Sequence, residues 1–353
     1  MGPPDALPAF VGTYTEDESD SEGIYGYHAD PASGDLDPAS VTDAGENPSF
    51  LAFGPDGEYL YAVNQVMEGG LVAFEVTPAG DLDRLNRQPT EDQRPCHVAL
   101  DATGTVALVA HYTGGSVAAL PVEADGRLAP ASDVIEHEHA SGVTDRQTEP
   151  HPHSINPGPE NRFAYVPDLG ADRVYVYGLD PAGTLDPADP PFFETHAGAG
   201  PRHMDFHPNG RWAYVINELD STLTAVERDP ETGALSEIGT VGTLPPEFEG
   251  ENTTAEVQVH PSGEYVYGSN RGHDSIAVFA IDDEGRPERI QVESTRGEWP
   301  RNFALDPEGR YLYAENRDTN DVVAFAVGDD GRLSATGHAV DVPEPVCLVF
   351  RHG

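Results

Sequence analysis

An internal repeat constrains the fold of this chain more than any other feature of its sequence. Six segments each contain an apolar stretch, a turn such as PDG, PNG or PSG, and a return stretch rich in Tyr and Val. They are NPSFLAFGPDGEYLYAVNQ (from Asn47), RPCHVALDATGTVALVAHY (from Arg94), HPHSINPGPENRFAYVPDL (from His151), GPRHMDFHPNGRWAYVINE (from Gly200), TTAEVQVHPSGEYVYGSNR (from Thr253) and WPRNFALDPEGRYLYAENR (from Trp299). No insertion interrupts any of them, so each predicts a β-hairpin of the same register.

Further apolar strands follow each hairpin, which makes a repeat of about 45–57 residues with four strands, typical of a propeller blade. Six blades are complete. The C-terminal PEPVCLVF matches a first strand, and the N-terminal AFVGTYT and GIYGYHAD match the second and third strands of the same blade. We therefore predict an all-β, seven-bladed β-propeller that forms one domain over residues 1–353, with its last blade closed by the N- and C-terminal strands.

The charge of the chain indicates its environment and excludes some partners. Its formal net charge is −43, from 62 acidic and 19 basic residues, and every basic residue is Arg. Because 38% of the residues are hydrophobic, we expect a folded protein with a hydrated acidic surface rather than a disordered chain. Salt would screen the self-repulsion, which favours a halophilic protein. Binding to nucleic acid or to an anionic membrane needs a basic surface and is not expected.

The remaining composition predicts a cytoplasmic protein. The start, MGPPDALPAF, has no basic or apolar segment of a signal peptide, and no apolar run reaches 18 residues. Cys96 and Cys347 lie too far apart in sequence to suggest a disulfide framework or a metal motif. The sequence identifies no protein partner.

The predicted propeller brings the two ends of each hairpin to one mouth of the central channel. The first strand of a blade lines the channel, and its antiparallel neighbour ends at the rim where the first strand began. Polar residues gather at these ends in several blades. The candidates are His97, Tyr112, His153, Asp168, Arg202, His203, Asn217, Glu218, Glu256, Arg271 and Arg301. Such a polar cluster in a concave site predicts a binding pocket.

Other polar residues have structural explanations. His207 and His260 precede turn prolines at the far end of the strand, where we expect them to hold neighbouring loops. Arg211 and Arg310 follow turn glycines and should be solvated. Asn64, Asn270 and Asn316 recur at one repeat position, which suggests a role in the turn. A metal site of His97, His153, His203 and Glu256 is an alternative, but no metal or phosphate-loop motif is present, so we predict neither metal nor cofactor.

The same residues resemble the propeller lactonase family, which contains 6-phosphogluconolactonases and a carboxymuconate cyclase. The resemblance covers essentially the whole chain. It is carried by FVGTYT, PHPHS, GAGPRHMDFHPNGRWAYVINELDS, AEVQVHPSGEYVYGSNRGHDSIAVF and PRNFALDP. It implies a seven-bladed propeller and ring opening of a sugar lactone. Residues on its mouth motifs are His153, Arg202, His203, Glu218, Arg271 and Arg301, and Glu256 falls on a position where the family carries an acid.

The resemblance leads to a hypothesis for the reaction. The expected activity is hydrolysis of 6-phosphogluconolactone or a related aldonolactone to the sugar acid in carbohydrate catabolism. Glu218 is the first candidate for the base that activates water, followed by His203 and His153. Arg202 or Arg271 would stabilise the oxyanion. The expected substrate-binding residues are Arg301, Glu256, His97, Tyr112, Asp168 and Asn217. The alternatives are a muconate-type lactonising cycloisomerase and a non-catalytic binding propeller.

Overall fold

The structure is a computed structural model that describes residues 6–16 and 19–351. Within these residues the strands form seven antiparallel sheets of four strands each. The only helix in the described part is a three-residue 3₁₀ helix, Asp145–Gln147. No helix among the described residues is both long and apolar enough to cross a membrane.

Six sheets are each made of four strands that follow one another in the chain, and the prediction of repeated blades is confirmed. The first two are β4 (Leu51–Phe53), β5 (Tyr59–Asn64), β6 (Gly70–Val76) and β7 (Leu82–Pro89), then β8 (Pro95–Leu100), β9 (Val106–His111), β10 (Ser116–Pro121) and β11 (Asp133–Glu136). The next two are β12 (Asn156–Pro157), β13 (Phe163–Asp168), β14 (Arg173–Leu179) and β15 (Leu185–Glu194), then β16 (Pro201–Phe206), β17 (Trp212–Asn217), β18 (Thr222–Arg228) and β19 (Leu235–Gly242). The last two are β20 (Thr253–Val259), β21 (Tyr265–Arg271), β22 (Ser275–Ile281) and β23 (Pro287–Ser294), then β24 (Pro300–Leu305), β25 (Tyr311–Asn316), β26 (Asp321–Val327) and β27 (Leu333–Asp341).

The seventh sheet joins the two ends of the chain, as predicted. Its order is β28 (Pro345–Phe350), β1 (Leu7–Thr13), β2 (Ile24–Ala29) and β3 (Leu36–Thr42). Strands β1 and β28 pair antiparallel, with Phe10 opposite Val349. This closure leaves no blade without a neighbour and removes an open edge from the ring.

Apolar side chains pack between every pair of adjacent blades and so close the ring. The β28–β1–β2–β3 blade contributes Phe10 to a cluster with Leu60 on one side, and Tyr27 to a cluster with Tyr313 on the other. Buried tyrosines reinforce these contacts: the hydroxyl groups of Tyr61, Tyr214 and Tyr267 donate hydrogen bonds to glycine carbonyls of the following blade. These aromatics therefore pack between blades.

The turn histidines bond to the following blade, as expected. A ring nitrogen of His207 lies 2.8 Å from the carbonyl oxygen of Gly263, and one of His260 lies 2.9 Å from that of Gly309. Both rings thus hold the turn of the following blade, away from the mouth where the hairpins begin.

Several hairpins begin with a β-bulge that the sequence did not reveal. Pro201 pairs with Asn217, but His203 pairs with Ile216, so Arg202 has no partner across the ladder. The same shift leaves Cys96 and Arg301 unpaired in the blades of β8 and β24. A bulge adds a residue and redirects the side chains around it. Consecutive residues such as Arg202 and His203 therefore both turn toward the channel, where regular alternation would separate them.

Candidate active site

A cavity of about 390 Å³ opens at the mouth where the hairpins begin. Residues of several blades line it, together with the segment between β11 and β12. The predicted site residues at its wall are Tyr112, His153, Glu218, Arg271 and Arg301. The structure thus brings five of the eleven candidates to one surface.

The carboxylate of Glu218 is the centre of this wall. It follows β17 directly, and its side chain is 4% exposed. Its Oε2 atom lies 3.1 Å from Nε of Arg202 and 3.0 Å from Nη2 of Arg271, and its Oε1 atom accepts a hydrogen bond of 3.1 Å from Nη2 of Arg146. Three guanidinium groups therefore surround one buried carboxylate.

These cations determine the charge of Glu218. Burial by itself would raise the pKa of this carboxyl group, but the charges of Arg271, Arg202, Arg146 and Arg301 outweigh burial and lower the pKa to about 2. Glu218 is therefore ionised throughout the physiological pH range.

Two of the surrounding arginines are fixed by backbone carbonyl groups of strand β20, which lies in the next blade from Arg202 and in the same blade as Arg271. Arg202 donates from Nη1 to the carbonyl oxygen of Ala255 at 2.6 Å, and Arg271 donates from Nη2 to that of Thr254 at 2.6 Å. Burial and the neighbouring cations lower the pKa of Arg202 to about 9, so it stays protonated at neutral pH. Arg271 reaches the cavity, whereas Arg202 lies behind Glu218 and does not line it.

Beneath the cavity lies a second polar layer, built on Glu256. Its Oε2 atom forms a hydrogen bond of 2.9 Å with Nδ1 of His203 and accepts one of 3.0 Å from Nδ2 of Asn302. Burial raises the pKa of Glu256 to about 7, against a smaller lowering by Arg202. The structure therefore places Glu256 and His203 below the substrate-accessible wall.

Three histidine rings pack edge to face from this layer toward the cavity. The ring of His203 lies 5.3 Å from that of His97 and 5.2 Å from that of His153, between centroids. Burial, followed by nearby positive charges and histidines, lowers the pKa of all three well below the usual value, so the rings are neutral. Of the three, only His153 lines the cavity. No cluster of three or more His, Cys, Asp or Glu that could hold a metal occurs in the described ranges.

Asp168 and Asn217 do not reach the cavity. The carboxylate of Asp168 is fully buried, pairs with Nδ1 of His137 at 2.6 Å and accepts a hydrogen bond from the backbone of His151. Asn217 donates from Nδ2 to the hydroxyl groups of Thr222 and Thr224, at 2.9 Å each. Both side chains stabilise the ends of their own hairpins. Their partners come from a connecting segment for Asp168 and from strand β18 for Asn217, and the repeat pattern shows neither.

Two residues of the site, Arg146 and Trp299, lie outside the hairpin strands, and the repeat pattern did not predict them at the site. Arg146 belongs to the 3₁₀ helix and contacts Glu218. The Nη2 atom of Arg146 also donates a hydrogen bond of 2.7 Å to the hydroxyl group of Tyr112. Trp299 lies beneath Arg271, whose Cζ atom is 5.4 Å from the ring centroid. The scarcity of cations in the chain was the one signal that could have identified Arg146.

The lining of the cavity is cationic, whereas the protein as a whole is strongly acidic. Among the described residues, its wall contains one carboxylate, Glu218, and five arginines: Arg94, Arg146, Arg271, Arg301 and Arg317. A concave cationic surface on a protein of net charge −43 concentrates the field at the mouth. The site is therefore suited to an anionic small molecule.

Comparisons with known proteins agree with this architecture. The family profile described as "Lactonase, 7-bladed beta-propeller" matches residues 8–350. A 6-phosphogluconolactonase of Bacillus subtilis is 36% identical over 97% of this chain and 98% of its own length. One of Formosa agariphila is 32% identical over 84% of this chain and 86% of its own. The structure of a periplasmic gluconolactonase from Pseudomonas aeruginosa superposes with a TM-score of 0.93 at 33% identity, covering 99% of each chain.

Proposed function

The chain belongs to the seven-bladed β-propeller lactonase family, and from this membership we propose that it opens an anionic sugar lactone in the cavity at the propeller mouth. The protein is a lactone-hydrolysing enzyme of sugar metabolism. The substrate proposed is 6-phosphogluconolactone or a related aldonolactone that carries a negative charge.

The cationic wall of the cavity is the observation that supports an anionic substrate. Arginine side chains bind phosphate and carboxylate groups through two parallel hydrogen bonds. Arg301 is suited to this role, because it forms no ion pair with a carboxylate within 4 Å among the described residues and lies over the ring of Tyr14 at 5.4 Å. Arg301 and Tyr112 bind the substrate, and His153 orients its hydroxyl groups.

The reaction uses the ionised Glu218. This carboxylate takes a proton from water as the water oxygen attacks the lactone carbonyl carbon. The carbonyl oxygen becomes an oxyanion, which the guanidinium of Arg271 stabilises. Collapse of this intermediate breaks the bond between the carbonyl carbon and the ring oxygen. The proton on Glu218 passes to that ring oxygen, which becomes a hydroxyl group, and Glu218 is ionised again.

The residues beneath the wall act through their neighbours. Arg202 holds Glu218 in place through its ion pair, and Glu256 holds the ring of His203 below His153. His97 packs against His203 from the other side. We assign Arg202, His203, Glu256 and His97 to positioning, and Asp168 and Asn217 to the stability of their hairpins.

The two alternative functions are not favoured. The named relatives are lactonases, not cycloisomerases. A non-catalytic binding propeller would expose aromatic side chains at its mouth, whereas this mouth has a buried carboxylate among cations.

The acidic surface supports a finer proposal about the environment of the protein. We place it in a cytoplasm rich in salt, where screening reduces repulsion among 62 acidic residues. Its partner there is a small anionic lactone. Nucleic acid and membrane are not partners, since the protein is strongly acidic and the cavity that five of its 19 arginines line is too small for either.

A lactone panel in molar KCl tests the proposed function. We expect hydrolysis of 6-phosphogluconolactone well above the spontaneous rate, with a lower kcat/KM for uncharged glucono-1,5-lactone and the same rates with EDTA. The variant Arg271→Ala should lose about 10²–10³ in kcat. Rates equal to the spontaneous rate for every lactone tried would disprove the assignment, and loss of activity in EDTA would disprove the metal-free mechanism.

A further inference from the structure

Arg146 is the exception among the three cations that surround Glu218. Its side chain is 50% exposed, whereas those of Arg202 and Arg271 are 3% and 5% exposed. It lies on the 3₁₀ helix of the segment between β11 and β12, not on a blade strand. Glu218 is thus held by two fixed cations and by one that comes from a connecting segment.

The neighbouring residue anchors this segment without restraining Arg146 itself. Gln147 is fully buried, and its Nε2 atom donates to the carbonyl oxygen of Leu169 at 2.9 Å and to Oδ1 of Asp172 at 2.6 Å. The base of the Arg146 side chain is therefore fixed at the rim of the cavity. Its guanidinium is restrained only where it contacts Tyr112 and Glu218.

A single nitrogen of Arg146 makes both of those contacts. Nη2 donates to the hydroxyl group of Tyr112 at 2.7 Å and to Oε1 of Glu218 at 3.1 Å. Nε and Nη1 donate to no group in the described part of the chain and are not enclosed. A guanidinium with two unused donors on a cavity wall is suited to bind an anion through paired hydrogen bonds.

We propose that Arg146 is the specificity-determining residue of this enzyme: it binds the anionic group of the substrate and in doing so leaves Oε1 of Glu218 for the attacking water. The inference rests on the proposed function and adds to it an exchange of the ion-pair partner of Arg146. Without an anion, Arg146 pairs with Glu218, and its Nη2 atom is hydrogen-bonded to Oε1 of that carboxylate. With an anion bound, Arg146 pairs with the substrate.

The exchange also makes Glu218 a stronger base when a suitable substrate is present. Three neighbouring cations lower the affinity of a carboxylate for a proton, so withdrawal of one cation raises that affinity. General-base catalysis improves as the pKa of the base approaches the operating pH. An anionic lactone would therefore be preferred in kcat as well as in binding.

The test compares two lactones in three forms of the enzyme, with the spontaneous rate subtracted. Wild type, Arg146→Gln and Arg146→Lys are assayed on 6-phosphogluconolactone and on glucono-1,5-lactone, the latter with and without inorganic phosphate. The matched control is Arg211→Gln, an exposed arginine paired with Glu227 at 2.8 Å, far from the mouth. Calorimetric titration with inorganic phosphate measures anion binding without turnover.

We expect Arg146→Gln to lower kcat/KM for the phosphorylated lactone by about 10–100-fold, the value of a charged hydrogen bond. Its rate on glucono-1,5-lactone should increase, because Glu218 loses one of the cations that lower its pKa. Phosphate should accelerate hydrolysis of glucono-1,5-lactone by wild type but not by Arg146→Gln, and Arg146→Lys should restore part of the preference.

Three results would overturn the inference. They are an equal loss on both lactones, an unchanged preference in Arg146→Gln, and phosphate binding that is the same in wild type and Arg146→Gln. If wild type hydrolyses neither lactone, the proposed function fails, and the titration still decides whether Arg146 binds the anion.

Discussion

The Oε2 atom of Glu218 lies 3.0 Å from Nη2 of Arg271, although the two residues belong to neighbouring blades. This pair joins the end of β17 to the end of β21 across the mouth of the channel. Together with the other arginines around it, Arg271 keeps this buried carboxylate ionised at neutral pH, and it lies at the cavity wall beside the proposed position of the lactone carbonyl.

Replacing Glu218 with Gln should lower kcat by about 10²–10⁴, because the variant keeps the shape of the side chain but cannot accept the proton from water. Steady-state kinetics on 6-phosphogluconolactone measure the loss. The matched control is Glu227→Gln, an exposed glutamate paired with Arg211, which should retain full activity.

The Glu218→Gln variant also leaves two buried guanidinium groups without their anion, which should cost about 3–5 kcal/mol in the free energy of unfolding. Because of this cost, circular dichroism under the assay conditions is needed to show that the variant is folded. Near-normal turnover by the folded variant would rule out Glu218 as the base.

Replacing Arg202 with Gln should change the pH dependence of the reaction more than its rate at neutral pH. Burial raises the pKa of Glu218, and Arg202 is one of the cations that lower it to about 2. Without Arg202 the pKa rises, so Glu218 becomes protonated and activity falls at a higher pH. The profile of kcat/KM between pH 3 and 7 measures the shift. An unshifted acid limb would mean that Arg202 does not act through Glu218.

Replacing Glu256 with Gln should remove a pH-dependent loss of stability. Because burial raises the pKa of this group from 4.5 to about 7, the folded state holds its proton more tightly than the unfolded state. Its contribution to stability is thus fully present below pH 4.5 and is lost as the pH rises through 7. The free energy of unfolding of the variant, relative to wild type, should increase by about 3 kcal/mol across this window.

Chemical denaturation of both proteins at pH 4.5, 6 and 8 in molar KCl provides the comparison. The direction of the change decides the outcome. If the free energy of unfolding of the variant relative to wild type stays constant or decreases with pH, Glu256 is not held protonated in the fold. Asp205→Asn is a useful second variant, since burial raises the pKa of Asp205 to about 6 and its effect should be complete at a lower pH.

The protein should refold in molar KCl and fail to refold fully in dilute buffer. Repulsion among its acidic groups is screened when the Debye length shortens from about 30 Å at 0.01 M salt to about 3 Å at 1 M. Recovery of circular dichroism and lactonase activity after dilution from denaturant, over a series of KCl concentrations, measures the effect. Equal stability at low and high salt would contradict the halophilic assignment.

The register of the hairpins was predictable because the repeat contains no insertions. Asn217 lies sixteen residues after Pro201 in the sequence, and these two residues pair in the structure. The same separation of sixteen residues joins Pro95 to His111 and Pro300 to Asn316, and both pairs also form in the structure. Strand pairing inside a hairpin depends on local turn geometry, which the length and the residues of the turn predict.

The identity of the cavity wall was predictable only in part. Asp168 and Asn217 occupy equivalent positions in their hairpins, and both were expected at the mouth. His137 from a connecting segment pairs with Asp168, and Thr222 and Thr224 from the next strand bind Asn217. Such partners are set by contacts through space, which a repeat alignment does not contain.

The sequence by itself determined the seven blades, the closure by the two termini and the mouth at which polar residues gather, because each of these depends on periodicity along the chain. The tertiary structure decided which of those residues meet. The bulge at Arg202 turns it toward the channel beside His203, the ion pair of Glu218 with Arg271 crosses between blades, and Arg146 arrives from a segment outside the repeat. Charge and burial at a site depend on distances between elements, and only the closed ring sets those distances.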